Sequence, residues 1–447
     1  MTQATPTLRQ RLKAICQLSW PIVAAMVSQN AMNLVDTAMV GTLGAVSLAA
    51  VGLASMAIWV MTGLLQGMGS AVQAMTARRY GEESHHRLHE AMANAFYLIV
   101  GFGIPYALLL LGLSSPLFRT LTQDLAVREQ GIAYLDIRLY TIPVIGLNFA
   151  FRGYFNGLHR PKLYMLTLLI MHPVNIALNY VLIFGKFGFP GMGVRGAALG
   201  TAIATTLGCM VFFYLMVRER HSRFSLAPTV LKGKALMDLL RLAAPSGFQS
   251  LTLAAGYLMF FKIAGMVSTQ ALAGVNILVN LALICILISM GFGLGTLTLV
   301  SNALGKAQRG EAIAWVKSSV LLVSCLVGTL GLLFALFPGF WLSLFIRDPE
   351  VIQAALVPMI LMGLSQSYDG AAMVLMHAHL GGGAAKSVMV ISLVNQWLIF
   401  LPGCYIWVYF FDGQLVHLYV CMVLYRLFLF LSFFFSIRQG KWLSIQI

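Results

Sequence analysis

Apolar runs long enough to cross a bilayer as helices recur along the whole chain, and this feature restricts the possible folds most strongly. A helix needs about 20 apolar residues to cross the hydrocarbon core, whereas a membrane strand needs about 10 and alternates in polarity. Hydrophobic residues make up 59% of the 447 residues and charged residues only 10%, which excludes a soluble globule of ordinary composition. The sequence therefore predicts an all-α integral membrane protein.

Hydropathy predicts twelve transmembrane helices. Their approximate spans are 15–41, 46–77, 90–114, 131–157, 163–186, 195–218, 238–265, 271–303, 311–338, 352–379, 385–410 and 414–438. Lys and Arg concentrate in the tails and in the loops on one side of these spans. Because cytoplasmic loops carry the excess of positive charge, both termini are predicted to lie in the cytoplasm.

An internal repeat relates the two halves of the chain. When the sequence is slid against itself without a gap until Pro21 falls on Pro245, glycines of one half also fall on glycines of the other. The paired glycines are Gly41 with Gly265, Gly67 with Gly291, Gly69 with Gly293, Gly81 with Gly305 and Gly157 with Gly381. This constant displacement is called the repeat offset below. Each half holds an even number of spans, so both halves enter the membrane in the same sense.

The repeat and the long basic connection in its middle predict the domain organisation. Residues 1–218 form an N-terminal six-helix bundle, residues 219–237 a cytoplasmic linker, and residues 238–447 a C-terminal six-helix bundle. Two parallel bundles of this kind rock against each other around a central cavity in transporters. A membrane transporter with such a cavity is therefore the leading prediction.

Asp36 lies well inside the first span. Gln29, Asn33 and Asp36 are four and three residues apart, so their side chains share one helix face. A charge at the centre of a span costs about 2.5–3.5 kcal/mol on insertion scales, which makes a functional role the default hypothesis. A structural hydrogen bond or a partner cation is the alternative. Pro21 removes a helix hydrogen bond in the inner half of this span and is predicted to act as a hinge.

The fifth span carries a second polar face. His172, Asn175 and Asn179 are three and four residues apart, and the two amides could form an ion cage with the acid of the first span. Ordinary interhelical hydrogen bonding by asparagine is the alternative. His172 is also, with Gln29 and Asn33, a candidate residue of the substrate cavity.

Asp369, in the tenth span, is the other acid that lies well inside the membrane. Arg426 in the twelfth span is a conceivable partner, so a structural ion pair is the alternative to a functional role. The remaining intramembrane charges are assigned to span ends. Arg152 and Lys262 are interpreted as anchors that snorkel toward the interface, and Arg138 is assigned to the outer end of the fourth span.

The sequence carries no motif for ATP hydrolysis. GMGVRG at 191–196 fits a dinucleotide-binding pattern but follows a membrane span, and no Gly-Lys pair completes a P-loop. Acidic metal-binding clusters are missing as well, which argues against a membrane-embedded enzyme acting on lipids. No cofactor is predicted, so uphill transport must use an ion gradient, worth about 2.3 kcal/mol per charge at 100 mV. A buried carboxylate suits that role because it can exchange a proton or attract a cation.

Three stretches carry a family resemblance. They are WPIVAAMVSQNAMNLVDTAMVG at 20–41, FRGYFNGLHRPK at 151–162 and GMGVRGAALGTAIAT at 191–205. With twelve spans in two parallel halves, they resemble the multidrug and toxic compound extrusion (MATE) family over essentially the whole chain. The chain looks more like the bacterial DinF branch than the NorM branch, because its polar cluster is in the first half and its seventh span lacks the NorM-type carboxylate. Asp369 is similar to the tenth-span Asp of the NorM branch.

The resemblance implies an antiporter that exports cationic, amphipathic drugs or toxic metabolites in exchange for H+ or Na+ by alternating access. The cation site that it implies consists of Asp36, Asn175, Asn179 and Thr201. Some relatives have Asp in place of Asn179, so this chain has one negative charge fewer, which favours proton coupling. Protonation of Asp36 from the outer side would then weaken its hold on substrate and let the first span bend near Pro21.

The resemblance also implies a multi-pass protein of the bacterial inner membrane that acts as a monomer. Its expected partners are the lipid bilayer and small-molecule substrates, and no nucleic acid is expected. A flippase for a lipid-linked precursor, a substrate class that related folds handle, is the alternative function. Such a flippase needs a basic central cavity, whereas few cations are predicted at mid-membrane.

Overall fold

The computed structural model describes residues 6–218, 233–411 and 413–447. Most of the predicted linker, residues 219–232, lies outside the described residues. The described residues are helical apart from the connections between helices, and they contain no strand. Its helices are α1 Leu8–Gly41, α2 Ala45–Gly81, α3 Glu90–Leu121, α4 Leu125–Leu139, α5 Ile142–Gly157, α6 Pro161–Phe184, α7 Gly193–Arg218, α8 Gly233–Val267, α9 Thr269–Gly305, α10 Arg309–Leu336, α11 Pro338–Ser343, α12 Pro349–Gly382, α13 Ala385–Leu393, α14 Leu401–Phe410 and α15 Leu415–Arg438.

Ten segments of the described chain are long and apolar enough to cross a membrane. One of them runs from Ala385 to Phe410 and joins α13 to α14 through a π-helical segment, Val394–Phe400. The other two predicted spans are α1 and the successive helices α4 and α5. The 34-residue α1 is long enough to cross, but its polar residues lower its mean hydropathy. The prediction of an all-α membrane protein with twelve spans is confirmed.

The predicted fourth span, 131–157, is not one continuous helix. It consists of the end of α4 and all of α5, with a break at Tyr140 and Thr141. Pro143 has no backbone N–H to donate to the carbonyl oxygen of Leu139, and proline is favoured in the first turn of a new helix. Arg138 therefore lies in the last turn of α4, immediately before the break.

Helix packing divides the chain into two compact units. The N-terminal unit is Ala24–Gly247, and the C-terminal unit combines Met1–Val23 with Phe248–Ile447. Both divisions fall inside a helix, one in α1 and one in α8, and the proline of each helix lies two residues before the division. The predicted domain boundaries place all of α1 in the N-terminal bundle and α8 from Asp238 onward in the C-terminal bundle, and they stay a prediction.

The N-terminal part of α1, up to Val23, packs within the C-terminal unit. Arg11 forms an ion pair with Glu311 of α10 at 3.2 Å, and the ring of Trp20 meets the edge of Phe292 of α9 at 5.5 Å between centroids. The first residues of α8 belong likewise to the N-terminal unit, where Gly247 lies against the backbone of Leu64 in α2. Each unit is thus completed by a helical segment from the other half of the sequence.

Helices within each unit approach one another closely at glycines. In the N-terminal unit α2 packs along α5, and a Cβ atom on Gly153 would overlap the carbonyl oxygen of Gly69. In the C-terminal unit α12 packs along α9, α10 and α15, and Gly331 faces Gly363 where α10 meets α12. Residues without a Cβ atom are required at these contacts because backbone atoms fill the space.

The same contacts recur at the repeat offset. Helix α9 begins at Thr269 and ends at Gly305, the residues that the repeat pairs with the first and last residues of α2. The equivalent contacts are Gly157 with Gln73 and Gly381 with Leu297 between helices, and the N-cap bonds, each 2.9 Å, from Ala126 to Asp124 and from Glu350 to Asp348. The repeat found in the sequence therefore corresponds to repeated three-dimensional packing.

Candidate ion and substrate site in the N-terminal unit

Asp36 on α1 is held by an asparagine of α6. The amide nitrogen Nδ2 of Asn179 donates to Oδ1 of Asp36 at 2.7 Å and lies 3.3 Å from Oδ1 of Asn175, one helical turn away. Asn179 is fully buried, and a Cβ atom on Gly200 of α7 would overlap its side chain. Close approach of α7 thus fixes the amide that binds the acid. The structure brings these three predicted residues together.

Thr201 lies on α7 beside this group and lines the same cavity. Its hydroxyl donates to the carbonyl oxygen of Ala197 in its own helix at 2.8 Å. In this arrangement the hydroxyl satisfies the backbone of α7 and forms no hydrogen bond with Asp36. The fourth predicted member of the cation site is therefore near the carboxylate but is not bound to it.

The other predicted cavity residues form a second polar chain. His172 on α6 contacts Ser28 Oγ through Nδ1 at 2.9 Å and Gln29 Oε1 through Nε2 at 3.4 Å. Gln29 in turn donates from Nε2 to Oδ1 of Asn33 at 3.3 Å. The polar faces of α1 and α6 are thus in contact at two positions along the helices, one at His172 and one at Asp36.

A cavity of about 270 Å³ opens beside these two faces, and every residue that lines it belongs to the N-terminal unit. This volume is close to the lower end of the range of about 300–1,000 Å³ that is common for small-molecule sites. The lining residues are Gln29, Met32, Asn33, Asp36, Ile58, Thr62, Arg138, Ile145, Asn148, Phe149, Arg152, Tyr164, Leu168, Met171, His172, Asn175, Thr201, Ala204, Thr205 and Phe212. Polar groups thus converge on a largely apolar pocket.

Two arginines of the fourth span line this cavity, and sequence reasoning missed both. The interpretation of Arg152 as an interfacial anchor, and of Arg138 as part of a span end, overlooks this position. In the structure both side chains are only partly exposed, and the guanidinium of Arg152 lies 5.0 Å from the centre of the Phe149 ring. No spacing along the sequence signals this position, because the break at Tyr140 and Thr141 separates the helix of Arg138 from the helix of Arg152.

Pro21 lies inside α1, which is continuous from Leu8 to Gly41. It does not line the cavity and belongs to the part of α1 that packs in the C-terminal unit. The hinge therefore stays a prediction.

Asp369 is distant in sequence from this site and lies in the C-terminal unit, on α12. Its Oδ2 is 3.3 Å from Nη1 of Arg426 on α15, and that nitrogen is also 3.4 Å from the hydroxyl of Ser365. Arg426 is only 5% exposed, so water has little access to this ion pair. The structure thus places the predicted partner beside Asp369. Within the described residues no group of three His, Cys, Asp or Glu side chains could hold a metal ion.

Two helical repeats of this length, with a polar cavity inside one of them, are the architecture of a membrane transporter. A family comparison agrees, because two segments, residues 21–181 and 245–406, each match the MatE family model. The chain belongs to this family, which contains transporters and not enzymes. The two matches begin at Pro21 and Pro245, the prolines that the internal repeat pairs.

Curated relatives cover nearly the whole chain. It is 24% identical over 435 residues to the probable multidrug resistance protein NorM of Thermotoga maritima, covering 96% of this chain and 93% of that protein. It is 29% identical over 398 residues to the protein of the same name from Photorhabdus laumondii, covering 88% and 87%. A solved outward-facing multidrug resistance MATE family transporter superposes with a TM-score of 0.88 at 20% identity, covering 99% of this chain and all of that one. Both relatives carry the NorM name, and the assignment to the DinF branch stays a prediction.

Proposed function

We propose that this chain is a secondary active antiporter that exports amphipathic drugs or toxic metabolites carrying a cationic group in exchange for H+. The observation that carries the proposal is the position of Asp36, whose carboxylate faces the cavity while Asn179 holds one of its oxygens at 2.7 Å. A proton and a cationic group compete for the same carboxylate, because only its ionised form attracts the cation. Competition at one site is sufficient to couple the two movements.

The composition of the site favours H+ over Na+ as the coupling ion. Asp36 accepts a hydrogen bond from the amide of Asn179, whose nitrogen also contacts Asn175, and these two side chains contribute no second negative charge. Na+ would have to be desolvated by a single carboxylate and neutral oxygens, whereas a proton needs only the carboxylate. Na+ coupling remains the alternative within this proposal.

Movement of α1 completes the proposed cycle. Protonation of Asp36 removes its attraction for the cationic group and weakens its bond with Asn179, which frees the outer part of α1 from α6. Pro21 has no N–H for the carbonyl oxygen four residues earlier, so α1 bends there at a lower energetic cost than elsewhere. Substrate is then released outward.

The printed names of the relatives support export of drugs, since both are probable multidrug resistance proteins. Their bacterial origin supports a location in the bacterial inner membrane. The excess of Lys and Arg in the loops of one side supports cytoplasmic termini, and nothing in this scheme requires more than one copy of the chain.

The decisive experiment uses purified protein in lipid vesicles, a fluorescent amphipathic molecule that carries a cationic group, and imposed gradients of protons or of sodium. Asp36→Asn keeps the size of the side chain but removes the exchangeable charge, so gradient-driven transport should be lost while the protein still reconstitutes. The matched control is Asp124→Asn, because this exposed acid caps α4 and asparagine caps helices equally well. Unchanged transport by Asp36→Asn, or wild-type transport that depends on neither gradient, would refute the proposal.

A flippase for a lipid-linked precursor is the second candidate. The observation in its favour is that the cavity contains Arg138 and Arg152, whereas the sequence predicts few cations at mid-membrane. An anionic lipid headgroup would find two guanidinium groups there.

A further inference from the structure

The cavity of the N-terminal unit carries more positive than negative charge. Arg138 and Arg152 line it together with one carboxylate, Asp36, and no other acid is among the described residues of its wall. Two positive charges against one negative charge leave a net charge of +1 when Asp36 is ionised, and of +2 when it is protonated. A substrate whose only charge is positive would therefore be repelled by the cavity as a whole.

Neither arginine forms a salt bridge within the described part of the chain. Nε and Nη1 of Arg138 are buried and have no hydrogen-bond partner among the described residues. Asp136, two residues earlier on α4, is on a different face and does not line the cavity. Arg152 contacts the ring of Phe149, which attracts a cation but accepts no strong hydrogen bond. Guanidinium donors therefore remain available at the cavity wall.

Arg138 is close enough to Asp36 for their charges to interact, and a purely structural role as its counter-ion is the simplest alternative. Within the described chain, however, the two side chains form no salt bridge, and the carboxylate accepts its hydrogen bond from Asn179. Even if Arg138 offsets Asp36, the cavity wall offers no second carboxylate to Arg152. A guanidinium removed from bulk water without a carboxylate partner is costly, and it matches a planar carboxylate or a phosphate in two parallel hydrogen bonds.

We propose that the cavity takes zwitterionic amphipathic molecules, whose cationic group lies at Asp36 and whose carboxylate, sulfonate or phosphate group lies at Arg138 and Arg152. The inference rests on the proposed antiport, since it names the substrate class of the same site. The apolar wall, with Ile58, Phe149 and Leu168, accommodates the body of such a molecule. Protonation of Asp36 then weakens only the binding of the cationic group of the substrate. The two arginines continue to bind its anionic group.

The test compares two probes that differ only in the anionic group. Tetramethylrhodamine is a zwitterion with a free carboxylate, and its methyl ester is a cation with the same ring system. Binding to purified full-length protein is measured by fluorescence polarisation, which does not depend on gradient coupling. We expect the acid to bind about tenfold more tightly than the ester, as one charge-assisted hydrogen bond would give.

Variants then assign the preference to the arginines. Arg138→Met and Arg152→Met keep an apolar stem of similar length, and each should remove most of the preference for the acid, while the ester should bind as tightly as to wild type or more tightly because one repelling charge is gone. Arg152→Lys should retain part of the preference because it keeps the charge. Arg119→Gln, which removes an exposed cation at the end of α3, is the control that should change neither affinity.

Retained ester binding shows that a variant is folded, so each result is decisive. Equal or tighter binding of the ester by wild type, or an undiminished preference in both methionine variants, overturns the inference and leaves the antiport intact. Failure of the antiport itself is recognised separately, by gradient-driven transport that survives Asp36→Asn.

A third probe, a fluorescent lipid with a phosphate headgroup, separates the two sources of an anionic group. Translocation of this lipid without transport of either rhodamine would overturn the proposal in favour of the flippase.

Discussion

The two halves of this protein share a scaffold but not a site. The residues of α1 and α6 that hold the carboxylate, Asp36, Asn175 and Asn179, correspond at the repeat offset to Phe260, Ile399 and Gly403. Phe260 is fully buried, with its ring 5.2 Å from that of Phe400. The C-terminal unit thus packs aromatic rings where the N-terminal unit binds an acid.

The helix contact itself is nevertheless kept. His172 of α6 reaches Gln29 of α1, and the repeat pairs these two residues with Gln396 and Leu253. Gln396 donates to the carbonyl oxygen of Leu253 in α8 at 3.2 Å. The cavity arginines correspond to methionines, Met362 and Met376. Small residues and helix contacts are therefore common to the two halves, whereas the charged side chains of the cavity belong to the N-terminal half.

The two units also differ in the partners of their buried acids. The buried acid of the C-terminal unit, Asp369, is neutralised by Arg426, and these two positions correspond to Ile145 and Ala202 in the N-terminal unit. Asp36 has a neutral amide as its nearest partner instead. We infer that the carboxylate of Asp36 is free to exchange a cation. The carboxylate of Asp369 is instead paired with the guanidinium of Arg426, which is part of the protein and cannot leave.

The largest effect is expected where the scaffold of one unit is broken. Gly153→Leu would place side-chain atoms on the carbonyl oxygen of Gly69, and because the backbone cannot move aside, the loss should exceed the about 1–3 kcal/mol of ordinary overpacking and prevent native packing of the unit. The C-terminal unit has His377 at the equivalent position, so the closest approach differs between the halves. The monodisperse fraction after extraction in detergent measures the effect. Gly101→Leu, at a position with open space around its Cβ, should stay monodisperse, and equal behaviour of the two variants would contradict the packing argument.

An intermediate effect is expected when the ion pair of the C-terminal unit is disturbed. Arg426→Ala leaves Asp369 buried without its partner, which should cost about 3–5 kcal/mol and lower the thermal unfolding temperature. The double variant Asp369→Ile with Arg426→Ala installs the residues of the N-terminal unit and should recover most of that loss. If the double variant is stable but inactive in gradient-driven transport, the C-terminal acid takes part in coupling and the functional contrast between the units is wrong.

The smallest effect concerns the choice of coupling ion. Asn179→Asp places a second carboxylate beside Asp36, which should allow Na+ to drive transport about tenfold better than in wild type, since a cation between two carboxylates is more strongly attracted. Transport is measured with a sodium gradient at equal pH on both sides. The exchange variant Asp36→Asn with Asn179→Asp keeps a single carboxylate and should gain no sodium dependence. Equal sodium stimulation in both variants would show that the number of charges does not decide the ion.

Much of this architecture could be predicted from sequence because hydropathy and the repeat are properties of long segments. The group formed by Asp36, Asn175 and Asn179 could be predicted because residues three and four apart share a helix face, and because the family resemblance connects the two helices. Arg138 and Arg152 could not be placed in the same way. A long cationic side chain can point toward the membrane interface or toward a cavity. Its direction depends here on the break between α4 and α5 and on the helix that lies opposite, and the spacing of residues in the sequence predicts neither.

The division of α1 and α8 between the units has a consequence for how the protein is made. Arg11 and Trp20 in the first part of α1 pack against Glu311 and Phe292, which the ribosome adds only in the second half of synthesis. The N-terminal unit in turn needs the first turns of α8, up to Gly247. Neither half can therefore complete its native packing in the membrane as an independent fragment, and the duplicated chain matures as a single obligate unit of biogenesis.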